Sequence, residues 1–456
     1  MRGIYQNVLH AIGDTPLVQL NKIVGRHDAR VLAKLEFMNP GGSVKDRMAL
    51  HIIEEAERSG ALKPGSVIVE NTSGNTGVGV AIAAAVKGYR CIFTMPDKMS
   101  QEKVRRLRAF GAEVVVTPTA VPAEHPDSYY ETAKRIFRET PNAFMLNQYH
   151  NKLNIEAHAL STGPEIWEQT GGSFDVFVAG LGTGGTMSGV ARYLKSQDPD
   201  VRTVGVDPMG SIYYSQFHTG VPSEPHTYKV EGIGEDMVCG ALEFDHIDDI
   251  MQVNDRECFH MARRLCREEG IFGGGSSGGA VHVAANLARE LGRNHTIVVL
   301  LPDSGALYLS KFFDDQWMKE GGFFDAEPAA QSVADLMRRK SHVVFTATED
   351  ETVGDAMVRM KREGISQMPV VGGDGEPVAM VHEIDLLNAM LDGKAKKDDR
   401  IGDLATELQG VIAPSAGLDQ LQAILTQDNV AVVVDHGKLH GIITKIDLIE
   451  YLSTFG

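Results

Sequence analysis

Cysteine is scarce in this sequence: four among 456 residues, Cys91, Cys239, Cys258 and Cys266. No two form a C-x-x-C pair, so a metal centre or a haem has no ligand cluster to build on. Neither is expected, and the thiols are expected to be reduced in a cytoplasmic protein. Positive charge is in short supply too, with 44 Lys and Arg against 61 Asp and Glu, a net charge of −17 and a pI near 5.4. Such a surface repels phosphate backbones, which excludes nucleic acid as an expected partner. Uncharged apolar runs such as residues 78–86 fall well short of the ~18 residues a spanning helix needs, so no membrane partner is expected. Residues 1–6 lack the apolar core of a signal peptide, in keeping with a cytoplasmic location. What remains is 43% hydrophobic and 23% charged, ordinary for a soluble enzyme, on a chain long enough for two or three domains.

Glycine is plentiful, and it gathers in loops. The first, Asn39-Pro-Gly-Gly-Ser-Val-Lys-Asp-Arg47, says most. Pro40, Gly41 and Gly42 predict a turn, and Ser43 with Asp46 predicts a capping box opening a helix. Met48, Ile52 and Ala56 then recur at four-residue spacing on one apolar face. Lys45 falls in the first turn, where the helix dipole disfavours a cation. An amine so placed has its pKa pushed down, and a neutral amine condenses with carbonyls. An ordinary surface lysine is the plain alternative; three glycine-rich loops downstream weigh against it.

Up to about residue 312, short apolar runs (67–69, 91–93, 114–116, 176–178, 203–206 and 297–301) each precede a loop and an amphipathic stretch. Runs without polar alternation predict strands buried on both faces, an α/β fold with mostly parallel sheets and flanking helices. The expected catalytic domain spans 1–320. Residues 321–332 lose periodicity and read as a linker. Beyond them the sequence is duplicated: Ala379-Met-Val-His-Glu-Ile-Asp-Leu-Leu387 is echoed by Gly441-Ile-Ile-Thr-Lys-Ile-Asp-Leu-Ile449, with Asp385 matching Asp447. Each copy, 333–395 and 396–456, reads helix, strand, strand, helix, and units so short are expected to pack as a pair.

The second loop, Glu70-Asn-Thr-Ser-Gly-Asn-Thr-Gly77, lies between a strand and a helix predicted from near Val78. Its hydroxyls and free amides suit an anion, although a capping turn explains it equally well on its own. The third, Gly180-Leu-Gly-Thr-Gly-Gly-Thr186, also fits a dinucleotide fingerprint, with Asp207 at the end of the next strand. That alternative leaves Lys45, the second loop and the hydroxyls of Thr183 and Thr186 unexplained. A short nest of amides and hydroxyls suits a monophosphate better. The fourth, Gly273-Gly-Gly-Ser-Ser-Gly-Gly279, precedes a helix predicted from Ala280 and reads as a tight turn presenting a serine rather than a linker.

Together these loops resemble the fold-type II (tryptophan synthase β-like) enzymes of pyridoxal 5′-phosphate. With Leu301-Pro-Asp-Ser-Gly-Ala-Leu-Tyr-Leu-Ser-Lys-Phe-Phe-Asp-Asp-Gln-Trp-Met318 they are most similar to the cystathionine β-synthase family, and residues 333–456 resemble a tandem CBS-domain (Bateman) module. The resemblance implies Lys45 as catalytic base and Schiff-base partner, Asn75 at the pyridoxal 3′-oxygen and Ser276 at the pyridine nitrogen. Gly182, Thr183, Gly184, Gly185 and Thr186 would hold the phosphate. Thr72, Ser73, Thr76 and Gln148 would hold the substrate carboxylate, with Tyr149 and Gly232 also at the substrate. No haem is implied, since the haem-binding extension of animal members has no counterpart here.

The implied reaction joins L-serine and L-homocysteine into cystathionine and water, with hydrogen sulfide-producing side reactions. The alternatives are a cysteine synthase using O-acetylserine and sulfide and, from another class, a non-catalytic ligand sensor. Glu235 stands where the family often carries an aromatic, which puts the acceptor pocket in question. In the tail, Thr444 and Asp447 match the pattern whose carboxylate meets a ribose, whereas His382 replaces the hydroxyl beside Asp385. A homodimer or homotetramer is expected.

Overall fold

A computed structural model describes residues 4–72, 74–97, 99, 101–118, 120–121, 125–324, 332–339, 344–427 and 430–453. The chain divides into two units, Met1–Asp325 and Ala326–Gly456. Ser73 and residues 325–331 of the expected linker lie outside the described residues. Among those described, no helix is long and apolar enough to cross a membrane.

The first unit opens with β1 (Leu17–Gln19), β2 (Arg30–Leu35), α1 (Lys45–Arg58), β3 (Val67–Asn71) and α2 (Asn75–Lys87). It continues with β4 (Arg90–Pro96), α3 (Gln101–Ala109), β5 (Glu113–Thr117), α4 (Tyr129–Glu139) and β6 (Ala143–Met145). Next come α5 (Leu153–Leu160), α6 (Thr162–Thr170), β7 (Val176–Gly180), α7 (Gly185–Gln197) and β8 (Arg202–Pro208). Finally α8 (Tyr213–Thr219), β9 (Asp249–Val253), α9 (Asp255–Arg264), α10 (Gly275–Leu291), β10 (Thr296–Leu301) and α11 (Asp315–Glu320) complete it.

All six predicted apolar runs are strands. With β1, β2, β6 and β9, which were not foreseen, they form two sheets, one of six strands in the order β1-β2-β10-β7-β8-β9 and one of four in the order β5-β4-β3-β6. Among the described residues, only the β1–β2 pair of these sheets is antiparallel. Burial on both faces explains the unbroken apolar sequence: Ile297, Val299 and Leu301 of β10 enter one core, Val298 and Leu300 the other. Met48, Ile52 and Ala56 of α1 are buried as their spacing predicts, and fully burying an isoleucine such as Ile52 contributes roughly 1.5–3 kcal/mol. The aromatic end of the unit is anchored on α9, where Phe259 stacks on Phe312 (centroids 5.0 Å apart) and meets Trp317 and Phe323 edge-on.

Three local expectations are corrected. The capping box at Ser43 does not form: Ser43 Oγ accepts from Lys45 N–H at 3.2 Å, and the Asp46 carboxylate accepts from Gly41 N–H instead. Helix α2 begins at Asn75 rather than near Val78, and α10 at Gly275 rather than at Ala280. Glycines open α10 because α9 packs too close for side chains; a Cβ on Gly278 would lie 2.0 Å from the Cys258 carbonyl oxygen. Tertiary packing here outweighs glycine's poor helix propensity.

The second unit contains α12 (Val333–Arg339), α13 (Val353–Glu363), β11 (Gln367–Val371), β12 (Pro377–His382) and α14 (Glu383–Leu391). After them come β13 (Thr406–Glu407), β14 (Val411–Ile412), α15 (Leu418–Gln427), β15 (Val430–Asp435), β16 (Lys438–Thr444) and α16 (Lys445–Ser453). Each copy holds the predicted helix, strand, strand, helix; two short strands not foreseen, β13 and β14, both in the range of the second copy, complete the sheets β11-β12-β13 and β14-β15-β16. Met380 of one copy packs with Val430 and Val432 of the other, so the copies do pair. Val333 and Leu336, at the start of the first copy, join the core of the second.

Candidate active site

The loops after β3, β7 and β10 lie at the carboxyl ends of parallel strands, where α/β sheets bind ligands. Lys45 leads α1 among them. Its neighbour Val44 donates N–H to the Pro302 carbonyl at 2.8 Å, tying the start of α1 to the end of β10. The Lys45 pKa is lowered, chiefly by burial, against the opposing charges of Glu235, Cys239 and Asp303. Burial thus acts in the direction expected from the helix N-terminus.

Val44, Lys45, Gly182, Thr183, Thr186 and Gly232 line one cavity. Along its third loop, a Cβ on Gly182 would lie 2.7 Å from the Gly232 carbonyl oxygen, so the wall admits glycine alone. Gly184 and Gly185 bring the loop onto the N-terminus of α7. Thr183 Oγ1 accepts from Asn154 Nδ2 at 3.0 Å, and Thr186 Oγ1 lies 3.2 Å from His158 Nε2. His158 Nδ1 meets Thr162 Oγ1 at 2.8 Å. Burial first, then the charges of Lys45 and Arg47, hold the His158 pKa well below its usual value, so the imidazole is neutral.

In the second loop, Thr72 Oγ1 accepts from the N–H groups of Gly74 and Gly77, both at 3.1 Å. Thr76 Oγ1 donates to Gln148 Oε1 at 2.6 Å. Gln148 is placed by Glu70, whose carboxylate accepts from Asn147 N–H (2.7 Å) and Gln148 N–H (3.1 Å). That anchor holds Asn147 at φ +56°, an unfavoured backbone for a residue other than glycine. Burial pushes the Glu70 pKa up to about 7. The partly buried Tyr149 ring lies 6.3 Å from Tyr130. Asn75 Nδ2 donates to Asp303 Oδ2 at 2.9 Å. Ser276 is buried in the first turn of α10, its Oγ 3.9 Å from where a Cβ on Gly232 would stand.

Glu235 follows this glycine loop, its N–H bonded to Ser211 Oγ at 3.1 Å. Burial, then repulsion from Asp236, pushes its pKa up to about 8, with Lys45 opposing. The dinucleotide alternative finds no support at Asp207: its Oδ2 accepts from Tyr214 N–H at 2.9 Å, which spends it on the start of α8. Glu70, His158 and Asp303 escaped the sequence reading; the partners that tie them to the pocket (Gln148, Thr186 and Asn75) lie far away in sequence, and only the position of Asp303 just past an apolar strand could have hinted at it.

In the second unit, Asp447 Oδ2 accepts from Thr444 N–H (2.6 Å) and Thr444 Oγ1 (2.7 Å), a cap at the start of α16. Asp385 takes the matching place in the first turn of α14, with His382 before the helix.

The residues present fit pyridoxal 5′-phosphate: an amine of lowered pKa, an amide-and-hydroxyl nest too tight for any side chain, and polar groups on separate edges. The family of pyridoxal-phosphate dependent enzymes matches residues 8–303, and the CBS domain matches residues 333–392 and 405–454. The fold and pocket therefore define a pyridoxal-phosphate dependent enzyme of fold-type II carrying a CBS-domain pair. The chain is 40% identical to cystathionine β-synthase of Oryctolagus cuniculus, over 99% of this chain and 86% of that one. Cysteine synthase of Staphylococcus aureus is 44% identical but reaches only 68% of this chain, covering 98% of its own. A solved hydrogen sulfide-producing enzyme from Fusobacterium nucleatum superposes with a TM-score of 0.63 at 36% identity, over 67% of this chain and all of that one. The chain belongs to the cystathionine β-synthase family.

Proposed function

We propose that the chain condenses L-serine with L-homocysteine to L-cystathionine and water, in preference to making cysteine from O-acetylserine and sulfide. The observation that carries this is the match to cystathionine β-synthase through both units, where the cysteine synthase stops short of the second. The bound cofactor supplies an electron sink for negative charge at the amino-acid α-carbon. Lys45 would hold it, and then its neutral Nζ takes the α-proton as general base. Gly182, Thr183, Gly184, Gly185 and Thr186 hold the phosphate. Asn75 takes the 3′-oxygen. Ser276 offers the ring nitrogen a hydroxyl, which leaves it unprotonated; an aspartate there would protonate it. A weaker sink favours β-elimination over transamination or decarboxylation.

Thr72, Ser73, Thr76 and Gln148 orient the substrate carboxylate, and Tyr149 and Gly232 border the acceptor. The serine loses its α-proton and β-hydroxyl as water; the homocysteine sulfur then bonds to the β-carbon, and the proton its thiol gives up is balanced by the one Lys45 Nζ returns to the α-carbon. Steady-state kinetics test the assignment. The expected kcat/KM for serine with homocysteine exceeds that for O-acetylserine with sulfide by about tenfold or more, a transition-state difference of about 1.4 kcal/mol. The reverse preference would identify a cysteine synthase.

For the second unit, Thr444 and Asp447 are the better pair for a ribose hydroxyl. Ile365, Ser366 and Gln367, before Met368-Pro-Val-Val371, offer no carboxylate to face a sulfonium, so an adenine nucleotide fits better than S-adenosylmethionine. Calorimetric titration is expected to show AMP or ATP binding that Asp447→Ala abolishes. Tight S-adenosylmethionine binding that raises kcat would overturn this choice, and binding of none of the three would leave Thr444 and Asp447 with the purely structural role of a helix cap.

A further inference from the structure

Asp303 makes contacts around the pocket that none of the four glycine loops accounts for. It stands just past β10 with its main chain tied on two sides: Ser43 bridges to it, and Gly274 N–H donates to its carbonyl at 3.0 Å. One residue thus joins the turn before Lys45 to the turn before Ser276. Its side chain reaches a third element. Oδ2 accepts from Asn75 Nδ2 at 2.9 Å and from the Tyr308 hydroxyl at 2.7 Å. Oδ1 is buried without a hydrogen-bond partner and lies only 2.1 Å from where a Cβ on Gly274 would sit. Gly274 is the N-cap of α10, so this oxygen abuts the positive end of that helix dipole.

An asparagine amide turns easily about its last torsion, and its two faces differ only in whether they donate or accept. Asp303 Oδ2 already accepts from the Tyr308 hydroxyl and offers Asn75 an acceptor, so it draws Nδ2 of Asn75 towards it, whereas the flipped amide would set oxygen against oxygen. The second Nδ2 hydrogen and the Asn75 Oδ1 are left with a defined direction. Tyr308 in turn holds the carboxylate. Burial, the largest influence, raises the Asp303 pKa, while donation from Tyr308 and Asn75 opposes it.

We propose that Asp303 is a positioning residue for the cofactor, fixing the Asn75 amide at one edge of the pyridine ring and the first turn of α10, with Ser276, at another. The proposal rests on the roles given above to Asn75 and Ser276. It is tested on the cofactor-loaded full chain with Asp303→Ala, Asp303→Asn, Tyr308→Phe and Asn75→Ala, each checked for an unchanged thermal transition. The readouts are the visible absorbance maximum, the Kd for pyridoxal 5′-phosphate, and kcat and KM.

Asp303→Ala is expected to move the absorbance maximum in the same direction as Asn75→Ala. It should raise the cofactor Kd about tenfold, the worth of one hydrogen bond to a charged group, while KM for serine changes by less than about twofold. Asp303→Asn keeps an oxygen for Asn75 and recovers most of the affinity. Should Asp303→Ala not fold, Tyr308→Phe, which frees the carboxylate to turn, is expected to give the same spectral shift in smaller measure. A folded Asp303→Ala protein with unmoved absorbance and Kd overturns the proposal when Asn75→Ala does move them. If Asn75→Ala is silent as well, the role given to Asn75 falls first.

Discussion

Lys45→Ala is expected to lower kcat by at least ~10³ and to abolish the visible absorbance of covalently held cofactor. On the roles proposed for Lys45, two functions are lost at one atom, the covalent attachment and the general base, and a general base alone accounts for roughly 10²–10⁴ in rate. The loss is not of folding. Burial already disfavours the charge of Lys45, so its removal takes no favourable buried charge from the first turn of α1. Absorbance after dialysis against pyridoxal 5′-phosphate and single-turnover kinetics with serine are the measurements. Activity within tenfold of the parent would show that another group takes the α-proton. A parent protein that stays colourless would revive the reading of this unit as a sensor scaffold.

What could be read from the sequence is what is local in it. A glycine loop between an apolar run and a helix is spelled out in consecutive residues, and the loops carrying Thr72, Thr183 and Ser276 were found that way. Lys34 hid a strand. It sits within β2, where a lysine argues against a buried strand, yet it is fully buried because Nζ reaches Glu165 Oε2 at 2.8 Å. Helix starts misled for a related reason. Gly275, Gly278 and Gly279 read as a turn, but the close approach of α9 makes them the helix itself. Glu70 and Asp303 stayed invisible because their roles are defined by Gln148 and Asn75, distant in sequence. Spacing rules have no reach over such distances.

The same limit concealed the buried charges beneath Lys45, and they carry the largest expected effect on stability. Arg47, two residues along α1, donates from Nε to Glu36 Oε2 at 2.7 Å and from Nη2 to Glu36 Oε1 at 2.8 Å. It reaches Glu165 as well, from Nη1 at 2.6 Å and from Nη2 at 2.7 Å. Lys34 completes a set of two cations and two anions, with Thr15 donating to Glu36. Arg47→Met keeps the packing of the stem but leaves two carboxylates facing one lysine. Removing one partner of a buried pair typically costs about 3–5 kcal/mol.

Urea unfolding of the full chain followed by tryptophan fluorescence measures this cleanly, because both tryptophans, Trp167 and Trp317, lie in the first unit. The pH dependence has a definite sign. Burial would raise the Glu165 pKa, but Arg47 and Lys34 together hold it at about 2. In the parent that contribution is complete above the ordinary value of 4.5 and is lost only as pH falls towards about 2. In the variant the orphaned carboxyls of Glu36 and Glu165 bind protons more readily, which relieves their buried charge as the medium is acidified. The stability gap between parent and Arg47→Met should therefore narrow from neutral pH towards pH ~4. A gap below ~1 kcal/mol at neutral pH, or one that widens on acidification, would show that the network adds no net stability beneath Lys45.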